Sequence, residues 1–358
     1  MQGTLGIGVC GARISRNHIK GYQQIEGVKV LCVAGPDVDR CRAVAEEFGV
    51  PRVVADYREM LAMPDIDAVS ICVPNIYHPA MSIDALAAGK HVLCEKPLAI
   101  NAAEARRMVE AAREHDRLLM VAFNNRFAGN VRALKDVVDA GTLGPVHYAK
   151  AYWMRRHGIP GFGGWFTTKN LSGGGPLIDI GVHMMDLTLY LMGYPEPVAV
   201  TGATYNIFGA RGLGAHPGWE PTDLQITNTF DVEDLSVGLV KFANGATLAV
   251  EASWAGHQEN EEEVGIQLFG RDGGARIDMP GFRKADSLRV FTEVDGKVAD
   301  FAPEYVIDDE YAREVRHFVE CIRTGKQPLA PGEQGVTVMR IIDALYASAA
   351  SGREVRLD

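Results

Sequence analysis

The sequence predicts an α/β chain in two parts, a doubly wound parallel sheet followed by an α+β domain whose sheet is mainly antiparallel. Three observations predict it. Over the first 122 residues, short apolar runs alternate with stretches of helical period. Beyond them, several strand-like runs follow one another with few helices between. At 358 residues the chain is long enough for two or three domains of about 150 residues each. The division is placed to give domains 1–124 and 125–358, with the closing helix able to pack back on the first.

In chain order, Leu5–Val9, Val28–Ala34, Ala68–Val73, His91–Cys94 and Leu118–Ala122 are short runs rich in β-branched residues and Leu. They have the pattern of strands buried on both faces of a parallel sheet. Asp37 is placed to cap a helix whose stripe is Cys41, Val44, Ala45 and Phe48, and Gly49 ends it. Asn101 caps another, with Glu104 at the third helical position and Ala105, Met108, Val109 and Ala112 inward. A helix through Val131, Leu134 and Val138 stops at Gly141. Val146–Trp153, Thr227–Val232, Ser236–Phe242, Thr247–Trp254 and Glu263–Phe269 read as successive strands, with a hairpin at Ala243-Asn244-Gly245. A helix over Pro176–Leu191 interrupts them, and helices over Ala312–Arg323 and Glu333–Ala350 close the chain. The Gly- and Pro-rich loop Asn206–Pro221 suits a lid, a subunit-contact arm or a mobile surface loop. The run Glu259–Glu263 reads as a solvated hairpin tip.

Composition narrows the function. Asp plus Glu number 46 against 36 Lys plus Arg, a net charge of −10, which argues against nucleic-acid and anionic-membrane partners. The 47% hydrophobic and 23% charged residues are those of an ordinary globular protein. No apolar run reaches the roughly 18 residues of a membrane span. The most apolar, Pro176–Met192, is broken by Asp179, His183 and Asp186. No basic segment precedes the first apolar run, so no signal peptide is expected. Cys10, Cys32, Cys41, Cys72, Cys94 and Cys321 form no C-x-x-C pair, so buried reduced thiols in a cytoplasmic protein are expected. The 39 glycines point to tight turns or to backbone lying close against a ligand.

Four segments carry chemistry. The literal G-x-G-x-x-G run, Gly6 to Gly11, begins inside the first strand. The turn placed to face a diphosphate is therefore Cys10-Gly11-Ala12-Arg13-Ile14-Ser15. After the second strand Gly35 stands where a ribose-binding acid is usual; Asp37 can take that contact, and Arg13 or Arg40 can meet a 2′-phosphate. Lys96, in Glu95-Lys96-Pro97, follows a buried strand at the sheet's carboxyl edge. An ammonium there donates to a substrate oxygen and stabilises a developing alkoxide. Finally, Ser172-Gly173-Gly174-Gly175 leads into a helix on which Asp179, His183 and Asp186 fall within roughly 60° of one another at about 100° per residue. An imidazole with a carboxylate one turn away suits proton removal from an alcohol, and the triple glycine would let backbone crowd a flat ligand. The same spacing also fits a structural Asp–His pair or a metal, although no further ligand cluster accompanies it. Arg126, Arg155, Arg156, His157 and Trp165, near the expected domain junction, suit a sugar's hydroxyls and apolar face.

Together these segments resemble the glucose–fructose oxidoreductase / inositol dehydrogenase (Gfo/Idh/MocA) family over nearly the whole chain. The resemblance runs through His18, Pro74-Asn75, Glu95-Lys96-Pro97, Asn125-Arg126-Phe127, the triple-glycine helix and Ala347–Arg353. It implies an N-terminal Rossmann domain and a C-terminal domain with an open antiparallel sheet that often packs on another subunit, hence a homo-oligomer, dimer or tetramer. It also implies NAD or NADP as cofactor, and sugars, inositols or their keto derivatives as substrates. Carried over by position, Lys96, Asp179 and His183 match the family's catalytic trio, and the proline after Lys96 allows a cis peptide. The implied cofactor set is Gly11, Ala12, Arg13, Ile14, Asp37, Arg40, Pro74, Asn75, His78, Glu95, Lys96 and Arg126. The implied substrate set is Lys96, Arg155, Arg156, His157, Trp165, Asp179 and His183, with no metal. Two departures stand out: the family's phosphate-loop glycines fall on Cys10, Ala12 and Ser15, and Gly35 replaces the acid.

The leading expectation is an NAD(P)-dependent dehydrogenase or reductase acting on a cyclic polyol. His183 accepts the proton, Asp179 orients it, and Lys96 polarises the reacting oxygen. Two alternatives are a glycosidase that acts by transient oxidation on a permanently bound NAD, and a non-enzymatic dinucleotide-binding sensor. A sensor would need none of the three polar groups.

Overall fold

The computed structural model describes residues 4–219 and 230–357, and the chain forms two compact units. One comprises Met1–Phe127 with Asp309–Val336, the other Ala128–Asp308 with Thr337–Asp358.

The first unit alternates strand and helix: β1 (Leu5–Cys10), α1 (Ser15–Tyr22), β2 (Val28–Ala34), α2 (Val38–Phe48), β3 (Arg52–Val54), α3 (Tyr57–Leu61), β4 (Ala68–Ile71), α4 (His78–Ala87), β5 (His91–Glu95), α5 (Ala102–Glu114) and β6 (Leu119–Ala122). The strands lie in the order β3-β2-β1-β4-β5-β6, all parallel. The chain leaves β1 to one side and returns to β4 on the other. The switch point, outside whose carboxyl ends such sheets bind ligands, is therefore between β1 and β4. The expected caps are in place: the Asp37 carboxylate accepts Arg40 N–H (3.1 Å), Asn101 Oδ1 accepts Glu104 N–H (2.9 Å), and Gly49 ends α2 at φ 66°. β3, only three residues long, has no run from which periodicity could be read. Gly6 and Gly8 serve packing, not a ligand: a Cβ at Gly6 would lie 1.8 Å from Asp65 O, and one at Gly8 2.5 Å from Met60 Sδ.

The second unit holds α6 (Gly129–Asp139), β7 (Val146–Arg155), α7 (Lys169–Ser172), α8 (Val182–Leu191), β8 (Pro197–Tyr205), β9 (Leu235–Phe242), β10 (Thr247–Ser253), β11 (Glu262–Gly270), β12 (Gly273–Asp278), β13 (Leu288–Val294) and β14 (Lys297–Val298). Next in the chain, α9 (Glu310–Thr324) belongs to the first unit, α10 (Gly332–Ser351) begins there and ends in the second, and β15 (Val355–Arg356) follows. Among the described residues the second sheet has nine strands, ordered β14-β13-β12-β11-β7-β10-β9-β8-β15. Of these strands only β7 and β10 pair in parallel; their other pairings are antiparallel, so the sheet is mixed but mostly antiparallel. The turn at Asn244-Gly245 joins β9 to β10, with Gly245 at φ 84°. Along β7, Ala149, Ala151 and Trp153 are buried while Lys150 is exposed, the alternation of a sheet covered on one face.

Four expectations need correction. Residues 227–229 of the expected strand Thr227–Val232 lie outside the described residues, and 230–232 are not strand. β8, β12 and β13 were not expected: Gly202 interrupts the apolar pattern of β8, Gly273 and Gly274 that of β12, and in β13 the charged Arg289 and Glu293 break up the apolar residues. Residues 177–181 form a π turn before α8, in place of one continuous α-helix from Pro176. The loop from Asn206 is tied down as far as residue 216. Asp234 Oδ2 accepts the N–H groups of Ile207, Phe208 and Gly209 (2.6–2.9 Å), and His216 N–H bonds Ile159 O; residues 220 and 221 lie outside the described residues.

Candidate active site

In the first unit, β1 ends in a turn that fits a dinucleotide. Gly11 stands at φ 96°, where an added Cβ would lie 2.0 Å from Cys72 O, so only glycine lets the turn close on the end of β4. Ala12 is buried beside it, and Arg13 is exposed. Ile14 starts α1 without a side-chain cap, and the helix's first turn carries no acid. The first N–H groups of α1 and its positive dipole end therefore suit a diphosphate. At the neighbouring strand, Asp37 turns back to its own helix, accepting Arg40 N–H and pairing with Arg40 Nε at 3.4 Å.

The ends of β4 and β5 build the turn that presents Lys96. Pro74 opens a short 3₁₀ turn containing the buried Asn75. His78, wholly buried, spans the two connections, its ring nitrogens 2.9 Å from Val73 O and 2.8 Å from Pro97 O. Burial pushes its pKa down, against the pull of the two carbonyls. The Lys96–Pro97 peptide is cis. Glu95, almost buried, accepts Lys96 N–H through Oε2 (3.1 Å) and faces His18 Nε2 through Oε1 (3.0 Å). His18 Nδ1 lies 3.2 Å from Ser70 Oγ, itself 2.9 Å from Tyr22 Oη. The Lys96 side chain is half-buried. Arg126 is fully buried, donating to Leu329 O and to Gln334 Oε1 (2.7 Å), and so ties β6 to the start of α10.

In the second unit the π turn changes the expected helical wheel. Asp179 and His183 are half-buried, and Asp179 Oδ2 accepts Trp254 Nε1–H (3.0 Å). Asp186 does not share their face: it is buried and accepts the Tyr194 hydroxyl (2.5 Å). A π turn holds one residue more than an α turn, so the angular sum over 179–186 fails. The triple glycine also has another use than a flat ligand. A Cβ at Gly174 would lie 1.9 Å from Tyr346 Oη, and one at Gly175 2.0 Å from Glu233 O. The buried Glu233 then accepts Gly175 N–H (3.0 Å), Leu177 N–H (3.2 Å) and the Tyr346 hydroxyl (2.8 Å), anchoring the start of the segment that carries Asp179 and His183.

Beside His183 lies the Trp153 ring, centroids 5.8 Å apart. Glu262 Oε1 accepts both Trp153 Nε1–H and Arg155 Nε–H at 2.7 Å. Glu262 thus does more than sit in a solvated hairpin tip. Arg156 and His157 are exposed and face Glu259 and Glu261. Trp165 stacks on Phe166 at 3.8 Å. Sequence reading missed Trp153, Trp254, Glu233 and Glu262 as site residues. Each sits at or near the end of a strand or apolar run, where the local pattern signals only the sheet. Among the described residues no group of three or more His, Cys, Asp or Glu is arranged to hold a metal ion.

Comparison with known proteins agrees with this layout. The chain matches the model of an oxidoreductase family with an NAD-binding Rossmann fold over residues 5–123, and the GFO/IDH/MocA C-terminal domain over residues 131–276. It is 32% identical over 342 residues to D-glucoside 3-dehydrogenase of Escherichia coli (strain K12), covering 95% of this chain and 93% of that one. It is 27% identical over 359 residues to myo-inositol 2-dehydrogenase of Thermotoga maritima, covering 99% and 98%. The crystal structure of GenD2 from gentamicin A biosynthesis in complex with NAD is similar at a TM-score of 0.81 and 26% identity, covering 100% of this chain and 97% of that one.

Proposed function

We propose, on the premise that this chain belongs to the Gfo/Idh/MocA family of NAD-binding oxidoreductases, that it moves a hydride between a nicotinamide cofactor and a ring carbon of a sugar, glycoside or cyclic polyol. The observation that carries the reading is the Lys96 turn, locked by Glu95 and His78 at the carboxyl edge of the first sheet. In it Lys96 donates to the reacting oxygen and stabilises negative charge as the C–H bond breaks. His183 takes the hydroxyl proton in the oxidation direction and returns it in reduction, and Asp179, held by Trp254, keeps that region polar and oriented. The nicotinamide, when bound, supplies the carbon that takes or gives the hydride.

The uncapped turn Gly11, Ala12, Arg13 and Ile14 binds the diphosphate, and Asp37 and Arg40 flank the adenosine ribose. Pro74, Asn75, His78 and Glu95 shape the nicotinamide end, while Arg126 acts from beneath as a tether. Both NAD and NADP suit this set. The sugar end takes Arg155 and Trp165, with Arg156 and His157 at its rim. The same reading includes cytoplasmic residence, which the six buried free cysteines favour, and a homo-oligomer formed on the uncovered face of the nine-stranded sheet. Sedimentation velocity measures the latter.

The test is a polyol and glycoside panel followed at 340 nm with each dinucleotide, beside mass spectrometry of whatever dinucleotide copurifies. Lys96→Ala and His183→Ala should each lower kcat at least about 10²-fold. Wild-type turnover in both variants overturns the assignment. Cofactor that survives dialysis, with no net NADH formed, would favour the glycosidase instead.

A further inference from the structure

The geometry points to a hydroxyl-recognising subsite beside His183, made by Trp153, Arg155, Glu262 and Phe282, that takes a vicinal diol of a sugar or cyclic polyol ring; it rests on the hydride-transfer reading above. Glu262 is its centre. One carboxylate oxygen accepts both the Trp153 indole N–H and Arg155 Nε–H at 2.7 Å. Those two bonds fix the indole, the guanidinium and the carboxylate as one rigid unit. A carboxylate accepts about four hydrogen bonds and a guanidinium donates five, so both keep capacity for a ligand. An acceptor held next to a donor matches two adjacent hydroxyls, one donating a hydrogen bond to Glu262 and the next accepting one from Arg155. The two side chains are 20% and 23% exposed, enclosed enough for such bonds to discriminate and open enough to be reached.

The apolar half of the subsite is a stack. The Trp153 ring contacts His183 on one side (5.8 Å) and Phe282 on another (5.0 Å, 26° between planes), and the Arg155 guanidinium lies 5.1 Å from the indole centroid. Trp153, 7% exposed, backs the stack, and the half-buried Phe282 ring is the aromatic face left to cover the C–H face of a pyranose or cyclitol while the polar pair reads its edge. Phe282 reaches the stack at a cost. Gly281 and Phe282 both stand at φ 59°, and a bulky side chain rarely adopts that left-handed conformation. A turn between β12 and β13 alone would be served better by glycine at both positions. Strain kept at a residue whose ring extends a stack from a proton-transfer group is the pattern of a ligand clamp.

Glu262→Gln and Phe282→Gly separate a substrate role from a structural one. Gln keeps an oxygen for the Trp153 and Arg155 bonds but loses the charged acceptor. Gly relieves the left-handed backbone while removing the ring. The subsite requires KM for methyl α-D-glucopyranoside or myo-inositol, whichever the wild type turns over, to rise at least tenfold in each variant, with kcat falling less. The Tm of Phe282→Gly should stay level or rise. The same sugar should change tryptophan fluorescence in the wild type, and Trp153→Phe should abolish the change. Unchanged KM in both variants, or a lowered Tm in Phe282→Gly with KM intact, overturns the subsite and leaves the hydride-transfer reading standing. Failure of the wild type to turn over any member of the polyol and glycoside panel overturns both.

Discussion

Lys96 has a single backbone N–H, and Glu95 claims it. The order of donors around that carboxylate follows from what each partner can do. Lys96 N–H gives to Oε2, and an ionised Glu95 leaves Oε1 to accept from His18 Nε2–H. With the His18 ring carrying its hydrogen on Nε2 alone, Nδ1 accepts the Ser70 hydroxyl and Ser70 Oγ is free to accept the Tyr22 hydroxyl, so the three groups fit one continuous line. Each member of this line except Glu95 is fully buried, and Glu95 nearly so, so a mismatch cannot be relieved by water. Glu95→Gln sets an NH₂ against one of two N–H donors. Unfolding in urea should show a loss of about 1–3 kcal/mol. If Glu95 also steers Lys96, kcat should fall roughly tenfold or more with KM little moved, since small misplacements of a reacting group are costly. A stability loss with kcat unchanged would mean that the line holds the fold and not the lysine.

At the scale of elements, the segment bearing Asp179 and His183 starts on a carboxylate from a distant part of the chain. Glu233 binds two backbone N–H groups at the head of the π turn and is itself bound by Tyr346 of α10. Glu233→Gln leaves one of those N–H groups facing an amide donor and should cost about 1–3 kcal/mol, whereas Tyr346→Phe removes one bond and should cost about 1 kcal/mol. Equal, negligible effects in urea unfolding would show that these bonds do not hold the head of the π turn. This anchor also marks how far the sequence could be read. β1, β2, β4, β5 and β6 were legible because strands buried on both faces make unbroken apolar runs, and Asp37, Asn101 and Gly49 acted as expected because caps are local. The π turn was not legible: its residues, Leu177–Gly181, are as apolar as those of an α-helix, and the extra residue arises from tertiary packing. Lys96 and the Asp179–His183 pair could be put forward from the sequence because their motifs are short and contiguous. Glu233 and Glu262 were missed because each acts on residues 56 or more positions away, and a single carboxylate carries no local signature.

For the whole molecule, burial of titratable groups sets a pH window for folding. His78, His91 and His317 all have pKa values pushed down by burial. The unfolded chain protonates them below about 6.5 while the folded chain resists, so unfolding takes up protons and stability falls as pH falls through that range. Glu233 works in the opposite sense there: burial raises it, so its contribution is complete below the ordinary carboxylate value and is lost as pH rises through its folded pKa. The alkaline side belongs to the thiols. Burial raises Cys10, Cys72 and Cys94 far above the ordinary value, and Cys32 to about 11. Unfolding releases their protons once pH passes ~8.5, and each such thiol then removes about 1.4 kcal/mol of stability per pH unit. Urea midpoints measured from pH 5 to pH 10 should therefore peak near neutrality, decline gently in acid and fall steeply above about pH 8.5. Cys94→Ala should flatten the alkaline limb by about one thiol's share while leaving the acid limb alone. A curve that stays level to pH 10 would mean that these thiols ionise in the folded chain, and that the first sheet admits water to its core.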